Sequence, residues 1–465
     1  MSILIKGGTV ISASGALDAD VLVEGERISA VIARQASEAA EARADQVIDA
    51  AGKYLLPGGI DGHTHMEMPF GGTFSADTFE TGTIAAAFGG TTTIVDFAVQ
   101  AKGTSLLATL DKWHEKADGN CAIDYGFHMI VSDVNDTTLK EMDACIGNGV
   151  TSFKMFMAYP GVFYATDGEI LLAMQKAAGN GAMIMMHAEN GIAIDQLAAQ
   201  ALGRGETDPV YHGLTRPPEL EGEATHRAIQ LAKVAGCPLY IVHLSAADAL
   251  AAVATARDEG QNVFAETCPQ YLYLTLDDLA RPGFEGAKYV CSPPLRAPEH
   301  GAALWRGLRT NDLSVVSTDH CPFCFKGQKE LGIGDFSKIP NGIPAVEHRM
   351  DLLHQGVVNE EITLARWVEI SATTPARIFG LYPRKGTIAA GSDADIVIYD
   401  PAATQVLSAA THHMNVDYSA FEGMEITGRV MTTMSRGRVI VDGGRFTGSA
   451  GHGTFLSRDL NQYLV

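Results

Sequence analysis

Residues 55–65 read LLPGGIDGHTH, and the fold turns on how this stretch is read. An apolar run suited to a buried strand stops at Gly58-Gly59, resumes at Ile60 and ends in Asp61, His63 and His65. In an extended segment, residues two apart project to the same side, so His63 and His65 can present two imidazoles to one metal ion. Two satisfied surface histidines would show the same spacing. The pair becomes informative through its position, where a strand gives way to a loop, because α/β barrels keep their chemistry there.

Downstream, β-branched or apolar runs alternate with stretches rich in alanine and leucine. The runs are 91–97 (TTTIVDF), 123–129 (IDYGFHM), 150–157 (VTSFKMFM), 182–189 (AMIMMHAE), 239–244 (LYIVHL), 262–267 (NVFAET) and 313–319 (LSVVSTD), which with the first make eight. Helix candidates fall between them at 75–88, 106–117, 168–178, 225–235, 246–258 and 299–308. Strand and helix in alternation imply a parallel sheet, and eight repeats close it into a (β/α)8, TIM-like barrel. An open doubly wound sheet is the alternative, but no glycine-rich phosphate fingerprint follows any run.

The two chain ends have a different texture. Short alternating segments at 3–10 (ILIKGGTV), 19–23, 27–33 and 46–49 are separated by turn formers, and the texture returns at 386–388, 394–399 (ADIVIY) and 428–441 (GRVMTTMSRGRVIV). Neither piece alone has enough strands to cover its faces. The ends are therefore expected to meet in one small β-sandwich with the large domain inserted between them; two separate β decorations are the alternative. The expected division is 1–54 plus 385–445 for the sandwich, 55–384 for the barrel and 446–465 for a C-terminal tail.

With 465 residues, 46% of them hydrophobic, the chain can bury a large core. A formal charge of −21 argues against nucleic acid or an anionic membrane as partner, since both need a basic surface. Seven scattered cysteines suggest a reducing compartment. Cys321 and Cys324 have C-x-x-C spacing without a second pair, so they are read as ordinary thiols. No secretory signal pattern and no apolar run near the ~20 residues of a membrane span is present, and the expectation is a cytoplasmic protein.

Polar residues gather at the strand ends. Besides Asp61, His63 and His65 on the first run, the fourth carries Lys154, the fifth His187, the sixth His243 and the eighth Asp319. In a barrel these ends converge on one mouth. Four histidines and an aspartate exceed the three protein ligands of one catalytic zinc; they suit two adjacent metals, which need a bridging anion. A lysine between cations cannot bind as an ammonium. It must lose its proton or be modified.

The motifs Gly59-Ile-Asp-Gly-His-Thr-His, Ser152-Phe-Lys, His187-Ala-Glu-Asn, Val242-His and Thr318-Asp-His-Cys-Pro resemble those of the cyclic amidohydrolases, and within them the dihydropyrimidinases and bacterial hydantoinases. Supporting segments are 216–223 (RPPELEGE), 291–296 (CSPPLR), 339–344 (IPNGIP) and 420–423 (AFEG). The resemblance implies zinc-dependent opening of dihydropyrimidine and 5-substituted hydantoin rings to N-carbamoyl amino acids. It implies that Lys154 is an N6-carboxylysine bridging two zinc ions, one held by His63 and His65 with Asp319, the other by His187 and His243, with a hydroxide between them. Asp319 would take the hydroxide's proton and deliver it to the leaving nitrogen. Tyr159 would donate a hydrogen bond to the developing oxyanion, and main-chain groups at Ser292 and Asn341 would grip the cyclic amide.

Substrate choice is expected to turn on the loops after the first and fourth runs. Dihydroorotases, by the same resemblance, place an arginine two residues after the second histidine to hold a carboxylate; Glu67 stands there, which disfavours an anionic substrate. Met68, Phe70, Phe156 and Phe163 either wall a pocket for a neutral ring substituent or anchor loops in the core. An allantoinase-like ureide hydrolase and a non-catalytic scaffold of the same fold are the other readings. All six ligand positions are filled by competent residues, which weighs against the scaffold. The tail, 451–465, carries Phe455, Leu456, Leu460, Tyr463 and Leu464, so docking is expected, and the resemblance suggests a homotetramer in which tails reach a neighbouring subunit.

Overall fold

Each of the eight runs contributes a strand to one parallel sheet. The computed structural model describes residues 2–462 and places these strands at β1 (Gly59–Thr64), β2 (Thr91–Val99), β3 (Asp124–Ile130), β4 (Ser152–Phe156), β5 (Met183–His187), β6 (Leu239–Ile241), β7 (Val263–Thr267) and β8 (Val315–Val316). They pair in sequence order, and nearly every residue in them is buried on both faces, which is why they read as continuous apolar runs. Between β8 and β1 the ring closes at its mouth: Thr64 forms a parallel bridge with His320, and the His65 N–H donates to the His320 carbonyl at 2.9 Å. The fold is a (β/α)8 barrel carrying a smaller domain.

Helices between the strands begin where local chemistry satisfies their first N–H groups. Thr78 caps Phe79–Phe88 and Thr166 caps Asp167–Asn180, each in a reciprocal capping box. Pro218–Ala235 starts seven residues before the expected 225, with proline in its first turn. Asp136–Gly147 is one of several helices that were not expected, with Gly191–Gly203 and Arg349–Val358. In Asp136–Gly147 the buried residues are only Thr138, Met142 and Cys145, so the apolar stripe is too narrow to stand out.

The ends of the chain build a ten-stranded sheet. Its central joint is the antiparallel pairing of Tyr54–Pro57 with Ile396–Val406, in which Leu56 faces Val397. Ile3, Ile5, Val21 and Val23 from the N-terminal strands share a core with Ile396, Ile398 and Met434, so the hydrogen-bonded path curls over itself around one interior. Leu55–Pro57 thus pair within this sheet, and Gly58 lies at the crossing between it and the first barrel strand. No side chain fits at the crossing: a Cβ on Gly58 would lie 2.1 Å from Thr92 Oγ1.

The tail docks on its own barrel. Main-chain N–H groups of Gly453, Leu456, Arg458, Asp459 and Gln462 donate to the carbonyls of Cys121, Tyr125, Gly149, Gly380 and Arg377, across the floor opposite the mouth. Leu456 is fully buried against Ile60, Ala376 and Leu381, and Arg458 reaches inward to the Phe127 carbonyl at 2.6 Å and Ser152 Oγ at 2.9 Å. Through Gln462 the tail packs on its own barrel; Tyr463 and Leu464 lie outside the described residues. No helix among the described residues is long and apolar enough to cross a membrane.

Candidate metal centre at the barrel mouth

The strand geometry brings all six candidate ligands to one place, and all six are buried. His63 and Lys154 sit near the C-terminal ends of β1 and β4, and His187 closes β5; His65, His243 and Asp319 follow β1, β6 and β8 by one to three residues. His63 Nε2 lies 3.2 Å from His65 Nε2, 3.2 Å from Asp319 Oδ1 and 2.9 Å from Lys154 Nζ. Among the described residues, one ligand atom from each of His63, His65 and Asp319 lies within 4.8 Å of the other two. The rings of His187 and His243 pack at 4.5 Å between centroids, and His243 is 5.3 Å from His63, so the second pair adjoins the first group.

The backbone is strained where it presents these groups. Tyr159 (φ 60°), His243 (φ 39°) and Asp319 (φ 51°) all occupy the left-handed region that non-glycine residues avoid, a state that persists only when surrounding contacts over-determine it. At His243 one such contact comes from Glu266. The Glu266 carboxylate, at the end of β7, pairs with His63 Nδ1, accepts the Tyr240 hydroxyl at 2.9 Å and accepts the His243 N–H at 3.2 Å. Glu189 pairs with His187 Nε2 at 2.7 Å. An acidic residue ending an apolar strand was the available signal for Glu266, and Glu189 stood inside a quoted motif.

These partners set tautomers. A proton on His63 Nδ1, shared with Glu266, leaves Nε2 as a bare lone pair aimed at Asp319 Oδ1 and His65 Nε2. The same lone pair lies 2.9 Å from Lys154 Nζ, and ligand atoms gathered this closely suit a cation. His65 Nδ1 and His243 Nδ1 are buried with no partner among the described residues. Nitrogen and carboxylate donors of this kind fit zinc or a similar first-row ion. Burial pulls the Lys154 ammonium down to about 8, which favours the neutral amine relative to a solvated lysine.

Asp61 plays a different part. Its Oδ1 accepts the main-chain N–H groups of His63 at 3.2 Å and Thr318 at 3.1 Å, and its Oδ2 accepts the Thr318 hydroxyl at 2.6 Å. It ties β1 to the segment that carries Asp319. Because β8 proper is only Val315–Val316, this tie and the His65–His320 bond substitute for the missing ladder.

At the ligands opens a small cavity of about 40 Å³, lined by His65, Lys154, His187, His243 and Asp319. Met68, Phe70, Phe156 and Phe163 line one side, with the Phe156 and Phe163 rings stacked at 4.9 Å. Tyr159, packed on the Phe70 and Phe156 rings, joins Ser292 and Asn341 in the lining: Asn341 Nδ2 donates to Ser292 Oγ at 3.1 Å and reaches the Tyr159 hydroxyl at 3.5 Å. Burial pushes the Tyr159 phenol well above its ordinary range, so it stays a donor. Glu67 does not face this space. Its carboxylate accepts the Phe79 N–H at 3.3 Å, at the start of a helix. Cys321 lines the cavity as a free thiol, and Cys324 is also unbridged.

Known proteins resemble the whole chain. The amidohydrolase family model matches residues 54–440. A protein of Streptomyces coelicolor named D-hydantoinase is 68% identical over 462 residues, covering 99% of both chains. A Geobacillus stearothermophilus protein of the same name is 52% identical and covers 98% of this chain and 97% of its own. The crystal structure of dihydropyrimidinase from Brevibacillus agri NCHU1002 superposes with a TM-score of 0.97 at 52% identity, covering 99% of each chain.

Proposed function

The chain belongs to the amidohydrolase family, and from that premise we propose that it hydrolyses the cyclic amide bond of 5-substituted hydantoins and dihydropyrimidines, releasing N-carbamoyl amino acids. The observation that carries this reading is the convergence, on one cavity, of a buried His–His–Asp group with Lys154, His187 and His243 and with the polar groups of Tyr159, Ser292 and Asn341. The relatives named D-hydantoinase supply the substrate class and point to the D enantiomer.

His63, His65 and Asp319 would hold one zinc ion and His187 and His243 a second, with Lys154 between them as its carbamate. The carbamate forms when neutral Nζ bonds to the carbon of carbon dioxide and releases one proton, replacing an ammonium by a carboxylate. Bound zinc would supply Lewis acidity toward the scissile carbonyl and acidify water near neutral pH. The protein's own residues do the rest. Asp319 accepts the proton of the attacking water and returns it to the ring nitrogen as the C–N bond breaks. Tyr159 donates to the carbonyl oxygen as charge builds there, a contact worth about 3 kcal/mol. Ser292 and Asn341 hold the ring in register, and Glu266 and Glu189 keep His63 and His187 oriented.

The test is ring opening of dihydrouracil and of both enantiomers of 5-phenylhydantoin by zinc-loaded protein. Faster turnover of the D enantiomer is expected, and failure to open any of the three rings would refute the reading. Phe163→Ala is expected to shift the rate ratio between 5-phenylhydantoin and 5-methylhydantoin by about tenfold, because the ring substituent loses its apolar wall. Unchanged relative rates would return Phe163 to a packing role.

The homotetramer, the cytoplasmic location and the division into an end domain, a barrel and a tail stand as proposals alongside, with the domain crossing at Gly58. Light scattering at four chain masses would support the tetramer, and a monomeric mass would overturn it.

A further inference from the structure

Lys329 opens a short turn, Lys329–Gly332, yet its side chain is wholly buried. Its Nζ donates to three main-chain carbonyls: Val290 at 2.9 Å, Pro340 at 2.7 Å and Gly342 at 2.8 Å. Three ammonium hydrogens meet three acceptors, a match that the planar fork of arginine cannot reproduce. Among the described residues no carboxylate forms an ion pair with it. A buried cation without a counter-charge is costly, and a methionine would occupy similar volume without that cost. Burial pulls the ammonium down to about 7.

The three carbonyls flank polar residues of the cavity. Val290 lies two residues before Ser292, and Pro340 and Gly342 bracket Asn341. The Gly342 N–H also donates to the Val290 carbonyl at 2.9 Å. Gly342 has φ 152°, and a Cβ there would lie 2.0 Å from the Cys321 carbonyl, so the Asn341 loop rests directly on the segment that follows Asp319.

We propose that Lys329 is a positioning residue that locks the Ser292 and Asn341 loops into a single jaw, fixing the spacing of the groups that grip the substrate ring. The inference rests on reading the cavity as a cyclic-amide site. Its mechanical half stands apart from that reading, because the clamp joins the two loops whatever they bind.

The experiment compares zinc-loaded wild type with Lys329→Met in two measurements. For 5-phenylhydantoin, KM is expected to rise about tenfold or more, with kcat within about threefold and metal content unchanged, the signature of weakened ground-state and transition-state binding alike. Hydrogen–deuterium exchange is expected to speed up at 290–292 and 340–342 and to stay unchanged elsewhere in the barrel. Unaltered KM and unaltered exchange would overturn the proposal, as would a loss of kcat accompanied by loss of metal. If the methionine variant does not fold, Lys329→Gln, which keeps two donors, should show a smaller rise in KM in the same direction; no rise would overturn the clamp. If wild type opens no cyclic amide, the functional reading fails, and the exchange comparison alone decides the clamp.

Discussion

Replacing Lys154 with alanine is expected to lower ring opening by at least about 10³-fold, roughly 4 kcal/mol of transition-state stabilisation, and to reduce bound zinc below two ions per chain. The expectation follows from where Nζ sits. It is buried, 2.9 Å from His63 Nε2 and 4.4 Å from the centre of the Phe97 ring, with no ion-paired carboxylate among the described residues. An ammonium there would repel the cations that the neighbouring donors suit, whereas a carbamate would bridge them. On this proposal alanine would remove the bridge and leave the two halves of the centre, His63–His65–Asp319 and His187–His243, to bind independently. Metal analysis and steady-state rates on one preparation check this. A full metal complement with full turnover would eliminate the bridging role.

Asp319→Asn is expected to lower kcat by about 10²–10⁴-fold, the range of a lost general base, with similar losses on hydantoins and dihydropyrimidines. Asp319 Oδ1 is shared between His63 Nε2 at 3.2 Å and His65 Nε2 at 3.3 Å. The amide of asparagine can still offer an oxygen to a metal but cannot take up a proton. Measuring zinc in the same variant separates the two roles. Retained zinc with lost turnover would support the proton-transfer role, and retained zinc with full turnover would place the base on another residue.

Much of the site was legible because strands carry a period of two. His63 and His65 share a face for that reason, and the polar residue ending each apolar run marks the mouth once eight runs are recognised. The partners were harder to see. Glu266 touches His243, 23 residues back along the chain, and His63, 203 residues back, and nothing local distinguishes it from an acid ending a strand at the surface. Lys329 sits in a polar-looking turn, and only its three carbonyl partners show it to be interior.

By itself, the sequence determined the alternation of strand and helix, the meeting of the two chain ends, and the identity of the groups gathered at the mouth, because each follows from short-range pattern and from side-chain chemistry. Tertiary structure alone decided that Leu55–Pro57 pair with Ile396–Val406, that the described tail seals its own barrel floor, that Glu67 caps a helix instead of facing the cavity, and that Glu266 holds two ligands at once. These outcomes depend on which distant segments compete for the same hydrogen-bond donors and the same buried volume, and that competition is settled only when the whole chain packs.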